Sequence, residues 1–474
     1  MPHTLILFIL TLVIGLYMLW NIGANDVANA VGTSIGSGAI TLRKAILIAA
    51  VFEFAGAFLV GANVSETIQS GIIATELYPP QTVILGMLSS LLATALWLQV
   101  ATILKWPVST THAIIGAVLG FGLVVGGTAA VQWKELGHIA LSWLISPLLS
   151  GLVSYLLFSF LQKKILFSFS PLRGAKKIAP FLVFATLFVF AMSTFLGGLA
   201  DMHIALTFTQ VLAISSLTGL FGFVIAYVLL SKIHKTSRIN PHAALKQEAQ
   251  LYSLGKIQKH LARLSIHTSD DHRDEIMRLH RFAETMTTEI KTLGNWDSHL
   301  TYDYQMVERI FGILQILSAC FIAFAHGAND VANAIGPVSA VFELLKNPTL
   351  LLRQTLISPW LLAFGGLGVV FGLATYGWRV IETIGKNITQ LTPTRGFSAE
   401  FAAATTILVA SKLGLPISTT HSIVGAVLGV GLAKGLSALN LRLVRDIFLS
   451  WIITIPSSAI CSVLLFFLLK FLFS

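Results

Sequence analysis

The segment Gly23-Ala-Asn-Asp-Val-Ala-Asn-Ala30 recurs without change as Gly327–Ala334, 304 residues further on. Each copy sets an aspartate between two asparagines, and each lies in an apolar run. A second segment, Pro107-Val-Ser-Thr-Thr-His112, returns as Pro416-Ile-Ser-Thr-Thr-His421, and both copies are followed by Gly-Ala-Val-Leu-Gly, at Gly116–Gly120 and Gly425–Gly429. Between these landmarks, Gly61-x-x-Val-x-Glu66-Thr-Ile aligns with Gly377-x-x-Val-x-Glu382-Thr-Ile; beyond them, Ser142-Trp143 aligns with Ser450-Trp451. Four landmarks in one order, offset by 304 to 316 residues, mark an internal duplication. Any fold for this chain must have two related halves.

The solvent for those halves follows from composition. Only 11% of residues are charged and 55% are hydrophobic, whereas soluble domains carry about a quarter charged residues. Runs such as Leu206–Leu230 and Ile447–Leu469 exceed the roughly 20 helical residues needed to cross about 30 Å of hydrocarbon. Leu5–Trp20 resembles a signal peptide in hydropathy, but no Lys or Arg precedes it and no small-residue cleavage site follows, so it is expected to be retained. Cys320 and Cys461 both fall in apolar runs, which implies neither a disulfide framework nor a transition-metal cluster. The net charge of +10 fits basic cytoplasmic loops. Nucleic acid is excluded as a partner, because no basic stripe with interleaved aromatics is present.

One stretch cannot cross a membrane. Residues 232–309 hold 22 of the chain's 52 charges and 7 of its 13 histidines. Patches such as Leu245–Leu264 space apolar residues at helical intervals, which predicts short amphipathic helices on a soluble face. The loop carrying Lys163, Lys164, Arg173, Lys176 and Lys177 contains no acid, and two spans separate it from Lys232. Both basic segments therefore share one side, which the positive-inside rule makes cytoplasmic. Counting crossings outward from there, both termini are external and the two aspartate helices run in opposite directions. The expected organisation is a first repeat over 1–161, connecting transmembrane helices over 162–231, a charged cytoplasmic insert over 232–308, and a second, inverted repeat over 309–474. The fold class is all-α and polytopic, with two inverted-topology repeats, re-entrant helical hairpins and about 10–12 membrane segments. In many secondary transporters with inverted repeats, substrate and ion sites lie at the repeat interface near the membrane midplane.

The duplicated motifs carry the chemistry. An aspartate at the centre of a membrane helix costs about 2.5–3.5 kcal/mol on insertion scales, so Asp26 and Asp330 need partners or a polar cavity. Asn25, Asn29, Asn329 and Asn333 bring amide oxygens to the same places, and residues three apart share a helix face. Gly23 and Gly327 permit a helix break or a close approach. Oxygen ligands of this kind suit a hard cation, Na+ rather than a transition metal. Interhelical hydrogen bonding that only glues the bundle is the plainer reading, and it explains two matched carboxylates poorly. In the second motif Pro107 and Pro416 interrupt runs short for full spans, which suggests re-entrant hairpins. Ser109, Thr110 and Thr111, with Ser418, Thr419 and Thr420, are good helix caps, and a helix N-terminus with free hydroxyls suits an anion. His112 and His421 read as proton relay or as packing at the hairpin tips, with packing favoured. His326 precedes only the second motif, where the first has Ile22, so no symmetric role is expected of it. Glu66 and Glu382 sit near span ends. Glu53 lies inside a span without a counterpart and needs a partner.

At these segments the chain resembles the PiT family of inorganic phosphate transporters, across about 1–160 and 309–474. Gly32–Thr41, and Phe52-Glu53 followed by Glu66-Thr67-Ile68, resemble its sodium-coupled branch. The resemblance implies a dimeric, elevator-like carrier with phosphate between the aspartate motifs and the hairpin hydroxyls. It leaves the insert without a role. The residues add a reason. The motifs offer two carboxylates and no Lys or Arg, so an anion can bind only with cations. Phosphate near neutral pH keeps a proton to donate to a carboxylate, which sulfate does not. The expectation is a non-enzymatic symporter of inorganic phosphate with sodium in a cell (inner) membrane, without cofactor. A proton-coupled phosphate permease or a sulfate permease of the same family stays open. An ion channel and an intramembrane serine hydrolase using Ser109 and His112 are the readings from other classes.

Overall fold

The computed structural model of the chain describes residues 2–104, 106, 108–168, 170–196, 206–233, 241–267, 270–292, 300–348, 352, 356–377, 391–435 and 441–473. Among these, long helices account for nearly all the regular structure, and the only strand-like feature is an isolated bridge between Ile73 and Val131. Lipid offers no partner to a backbone N–H or C=O, so an apolar chain of this length closes its hydrogen bonds within helices. Eight helices are long and apolar enough to cross a bilayer, and the bent pair Leu42–Val60 and Ala62–Ser70, kinked by 63°, makes a ninth.

The first half comprises α1 (Pro2–Gly36), α2 (Leu42–Val60), α3 (Ala62–Ser70), α4 (Pro80–Ile103), α5 (Thr110–Gly126) and α6 (Trp133–Leu161). Helices α7 (Pro171–Phe195) and α8 (Phe208–Ser231) follow and pack on each other. The second half comprises α11 (Leu300–Asp330), α12 (Ala332–Lys346), α13 (Pro359–Thr375), α14 (Pro393–Lys412), α15 (Thr419–Lys434) and α16 (Leu441–Phe473). Helix α13 is short and apolar, and α14 breaks its apolar run with Arg395, Glu400 and Lys412. Counting these with the nine gives a bundle of the expected size.

The halves interlock. Helix α1 packs on α13 and α11 on α2; α5 packs on α16 and α15 on α6. Each contact of one half is thus repeated by the corresponding helices of the other. The two largest buried apolar clusters draw residues from both halves. Small residues make these crossings close. A Cβ on Gly23 would collide with the Val369 carbonyl of α13, and one on Gly327 with the Glu53 carbonyl of α2. At Gly23 close approach is the role observed, since α1 runs unbroken through its motif, whereas the second motif is interrupted at Val331, between α11 and α12. The seams between α6 and α15 and between α16 and α5 are lined alike. Ser150 and Ser154 donate to the carbonyls of Ser422 and Ala426, both at 2.7 Å, while Gly116 and Gly120 of α5 lie against the Ile455 and Ala459 carbonyls of α16. Close packing and hydrogen bonds hold such seams, because lipid removes the hydrophobic drive between apolar helices.

In the charged insert, α9 (Pro241–His267) and α10 (Asp270–Thr292) are longer than the short helices expected there. They pack together, with Gln258 donating to Thr287 at 3.0 Å. The close crossings predict a clear mutational contrast. Gly23→Val should cost several kcal/mol, beyond the usual 1–3 kcal/mol of overpacking, because backbone opposes it. Gly312→Ala, with open space around it, should leave thermal stability unchanged. Melting curves of the purified protein in detergent check both.

Candidate functional site

The interlock brings the two aspartate motifs together. Asp26, on α1, and Asp330, at the end of α11, are both buried, and their carboxylate oxygens lie with a His326 nitrogen within 4.8 Å of one another. Asn29 donates to Asp26 at 3.4 Å and to the Thr420 hydroxyl, in the other half, at 2.9 Å. Asn333 returns the exchange, donating to Thr110 and Thr111 at 3.2 and 3.3 Å. Thr419 donates to Asp330 at 2.7 Å. Asn25 and Asn329 are held by donating to Thr102 and Ser411, at 2.9 and 3.0 Å.

The hairpin tips complete the set. Pairs α4–α5 and α14–α15 are helical hairpins whose tips meet: Thr111 donates to the Ile417 carbonyl at 2.9 Å, and Thr420 to the Val108 carbonyl at 3.2 Å. Pro107 lies outside the described residues. Ser109 and Ser418 are the N-caps of α5 and α15, each accepting from the backbone N–H three residues on. Both serines keep a hydroxyl proton to donate elsewhere.

With those bonds made, one carboxylate oxygen of Asp26, one of Asp330 and the amide oxygens of Asn25, Asn29, Asn329 and Asn333 remain buried without a donor. Among the described residues no Lys or Arg pairs with either aspartate. The base that does approach is His326, placed 3.0 Å from Asp330 through Nε2 and 3.2 Å from Glu53 through Nδ1. Six unpaired buried oxygens are costly unless something electropositive meets them. The donor set fits a hard cation.

The sequence undervalued two residues here. His326 reads as an asymmetric extra, yet it joins Glu53 to Asp330 and supplies the partner that Glu53 needs. Glu400 on α14 drew no attention, and it is the most heavily bonded acid in the core. It accepts from Thr33 and Ser34 at 2.6 Å, Ser318 at 2.5 Å and Gln315 at 3.1 Å. An acid inside an apolar helix was the available signal. Glu66 sits half-buried on α3, which packs against α12, and Glu382 lies outside the described residues.

A family model described as "Phosphate transporter family" matches residues 22–462. The chain belongs to the phosphate transporter family. The transporter is 42% identical over 460 residues to the chloroplastic inorganic phosphate transporter 2-1 of Arabidopsis thaliana, covering 96% of this chain and 70% of that one. A solved structure described as "The sodium-dependent phosphate transporter" superposes with a TM-score of 0.76 at 34% identity, over 98% of this chain and 99% of that one. The transporter is an integral, multi-pass membrane protein.

Glu400 provides a test of the core network. Glu400→Ala takes the acceptor from Thr33, Ser34 and Gln315, while Ser318 keeps the Gln315 carbonyl at 3.1 Å. At about 1–3 kcal/mol for each donor left buried, it should lower the melting temperature far more than Glu400→Gln, which keeps an acceptor oxygen. Equal losses for the two variants would remove the network from the account of stability.

Proposed function

We propose that the transporter is a symporter that carries inorganic phosphate together with sodium. The observation that carries this reading is the group of six unpaired oxygens gathered from both halves beside two carboxylates with no Lys or Arg partner. A phosphate placed there meets negative charge on both sides. Bound cations at Asn25, Asp26 and Asn29, and at Asn329, Asp330 and Asn333, offset it, so binding and ion coupling become one event. Hydroxyls of Ser109, Thr110 and Thr111, and of Ser418, Thr419 and Thr420, donate to the phosphate oxygens. The remaining phosphate proton is donated to a carboxylate, which selects against sulfate. His112 and His421 stand behind these hydroxyls, and Glu53 acts through His326.

Sodium is favoured over protons by the all-oxygen character of the Asn–Asp sets and by the sodium dependence of the solved relative. Residues 1–161 and 309–474 form repeats of inverted topology, with the insert in the cytoplasm and both termini outside a cell (inner) membrane. A homodimer is the assembly that the family resemblance implies.

Uptake into proteoliposomes tests coupling, with sodium and proton gradients imposed separately. A sodium gradient should drive phosphate uptake that persists when the proton gradient is collapsed, and phosphate should raise sodium affinity by the factor that sodium raises phosphate affinity. Full uptake in sodium-free medium under a pH gradient would reverse the choice of ion. Asp26→Asn and Asp330→Asn should each abolish uptake in correctly inserted protein. Alanine at a contacting hydroxyl should weaken phosphate binding by about 0.5–1.5 kcal/mol. For topology, a cysteine placed at Lys246 should resist an impermeant reagent added outside intact cells; labelling there would overturn the orientation.

A further inference from the structure

Between the hairpin tips stands a stack of four rings. Ring centroids lie 4.0 Å apart for Trp143 and His112, 4.4 Å for His112 and His421, and 3.5 Å for His421 and Trp451. The two imidazoles meet edge to face at 89°, and both are buried. Each histidine lies in the first turn of its hairpin helix, directly after the two threonines whose hydroxyls face the aspartate motifs.

The stack is tied across the halves by a hydrogen bond. Trp143 donates from its indole to the Pro416 carbonyl, at 3.0 Å, in the opposite hairpin. Pro147 lies four residues after Trp143 within α6 and has no N–H to give the Trp143 carbonyl. The His421 ring stands beside the Trp143 backbone at that break. Trp143 is therefore held at its indole by the tip of the other half, and the four rings in contact lock the two tips together.

We propose that His112 and His421 are positioning residues for the substrate. The four-ring stack sets the separation of the hairpin tips and so the span between Thr110–Thr111 and Thr419–Thr420, across which phosphate is held. The cation oxygens belong to α1, α11 and α12. The glycine crossings with α13 and α2 place α1 and α11 independently of the stack, although Asn29, Asn333 and Asp330 also bond to the hairpin threonines. This rests on the reading that the hairpin hydroxyls contact phosphate.

The test separates phosphate from sodium. Phosphate KM and kcat are measured in proteoliposomes at saturating sodium, and sodium half-saturation at saturating phosphate, for wild type, His112→Ala, His421→Ala and the double variant. Each single variant should raise phosphate KM about tenfold while kcat stays within about threefold, the mark of lost binding rather than lost turnover. Sodium half-saturation should move by less than about threefold, because the helices bearing the cation oxygens have their own crossings with α13 and α2. The double variant should be little worse than the poorer single one, because each ring works through the other. An unchanged phosphate KM, or effects that multiply fully in the double variant, would overturn the proposal. Should the alanine variants fail to insert, Trp143→Leu, which removes an outer ring and its bond to the Pro416 carbonyl, serves instead; a raised phosphate KM supports the assignment and an unchanged KM sinks it. Wild-type vesicles that take up no phosphate would defeat the phosphate reading itself, a result distinct from any of these.

Discussion

Two buried carboxylates, with no Lys or Arg beside them among the described residues, are the constraint on which the molecule turns. Neither Asp26 nor Asp330 can be left in lipid, and the base near them is a single histidine, His326. The fold answers by pooling them. Each motif reaches across to the other half's hairpin, through Asn29 to Thr420 and through Asn333 to Thr110 and Thr111, so the polar centre exists only when both halves are present. Everything around it serves close approach: glycines at the aspartate helices, serines and glycines along α6, α5, α15 and α16, and hairpin tips that bond to each other's carbonyls.

The symmetry is broken at one place that matters. His326 stands where the first half has Ile22, and it bridges Glu53 to Asp330. The second aspartate thereby has an imidazole of its own motif 3.0 Å away, where the matching position of the first motif is Ile22. Duplication has left two matched Asn–Asp sets in unequal surroundings.

Much of this could be read from the chain alone, for a definite reason. Asp26 and Asp330 are conspicuous because charge is scarce in an apolar run, and the repeated segments around them fix which residues correspond. Ser142-Trp143 and Ser450-Trp451 announce the last helices of each half, although only the structure turns that two-residue match into a seam of serines extending to Ser154 and Ser462. Glu400 escaped because Arg395 and Lys412 lower the hydropathy of its helix, making an interior acid look like one of several surface charges. His326 escaped because its meaning depends on α2, which lies far off in sequence. Gly23 was ambiguous between bending a helix and admitting a neighbour, and only the neighbour decides that.

The reciprocal crossing of the halves has a consequence for biosynthesis. Helix α1 completes its packing on α13 and helix α2 on α11, so about 300 residues must be made before either contact can form. Until then the nascent first half sits in the bilayer with Asp26 unmatched and its glycine faces open. Contacts so distant along a chain form late and slowly, and exposed unfinished surfaces are where misassembly begins. The second half is thus the template on which the first one finishes folding, and truncation before α13 leaves α1 without the helix its Gly23 face packs against.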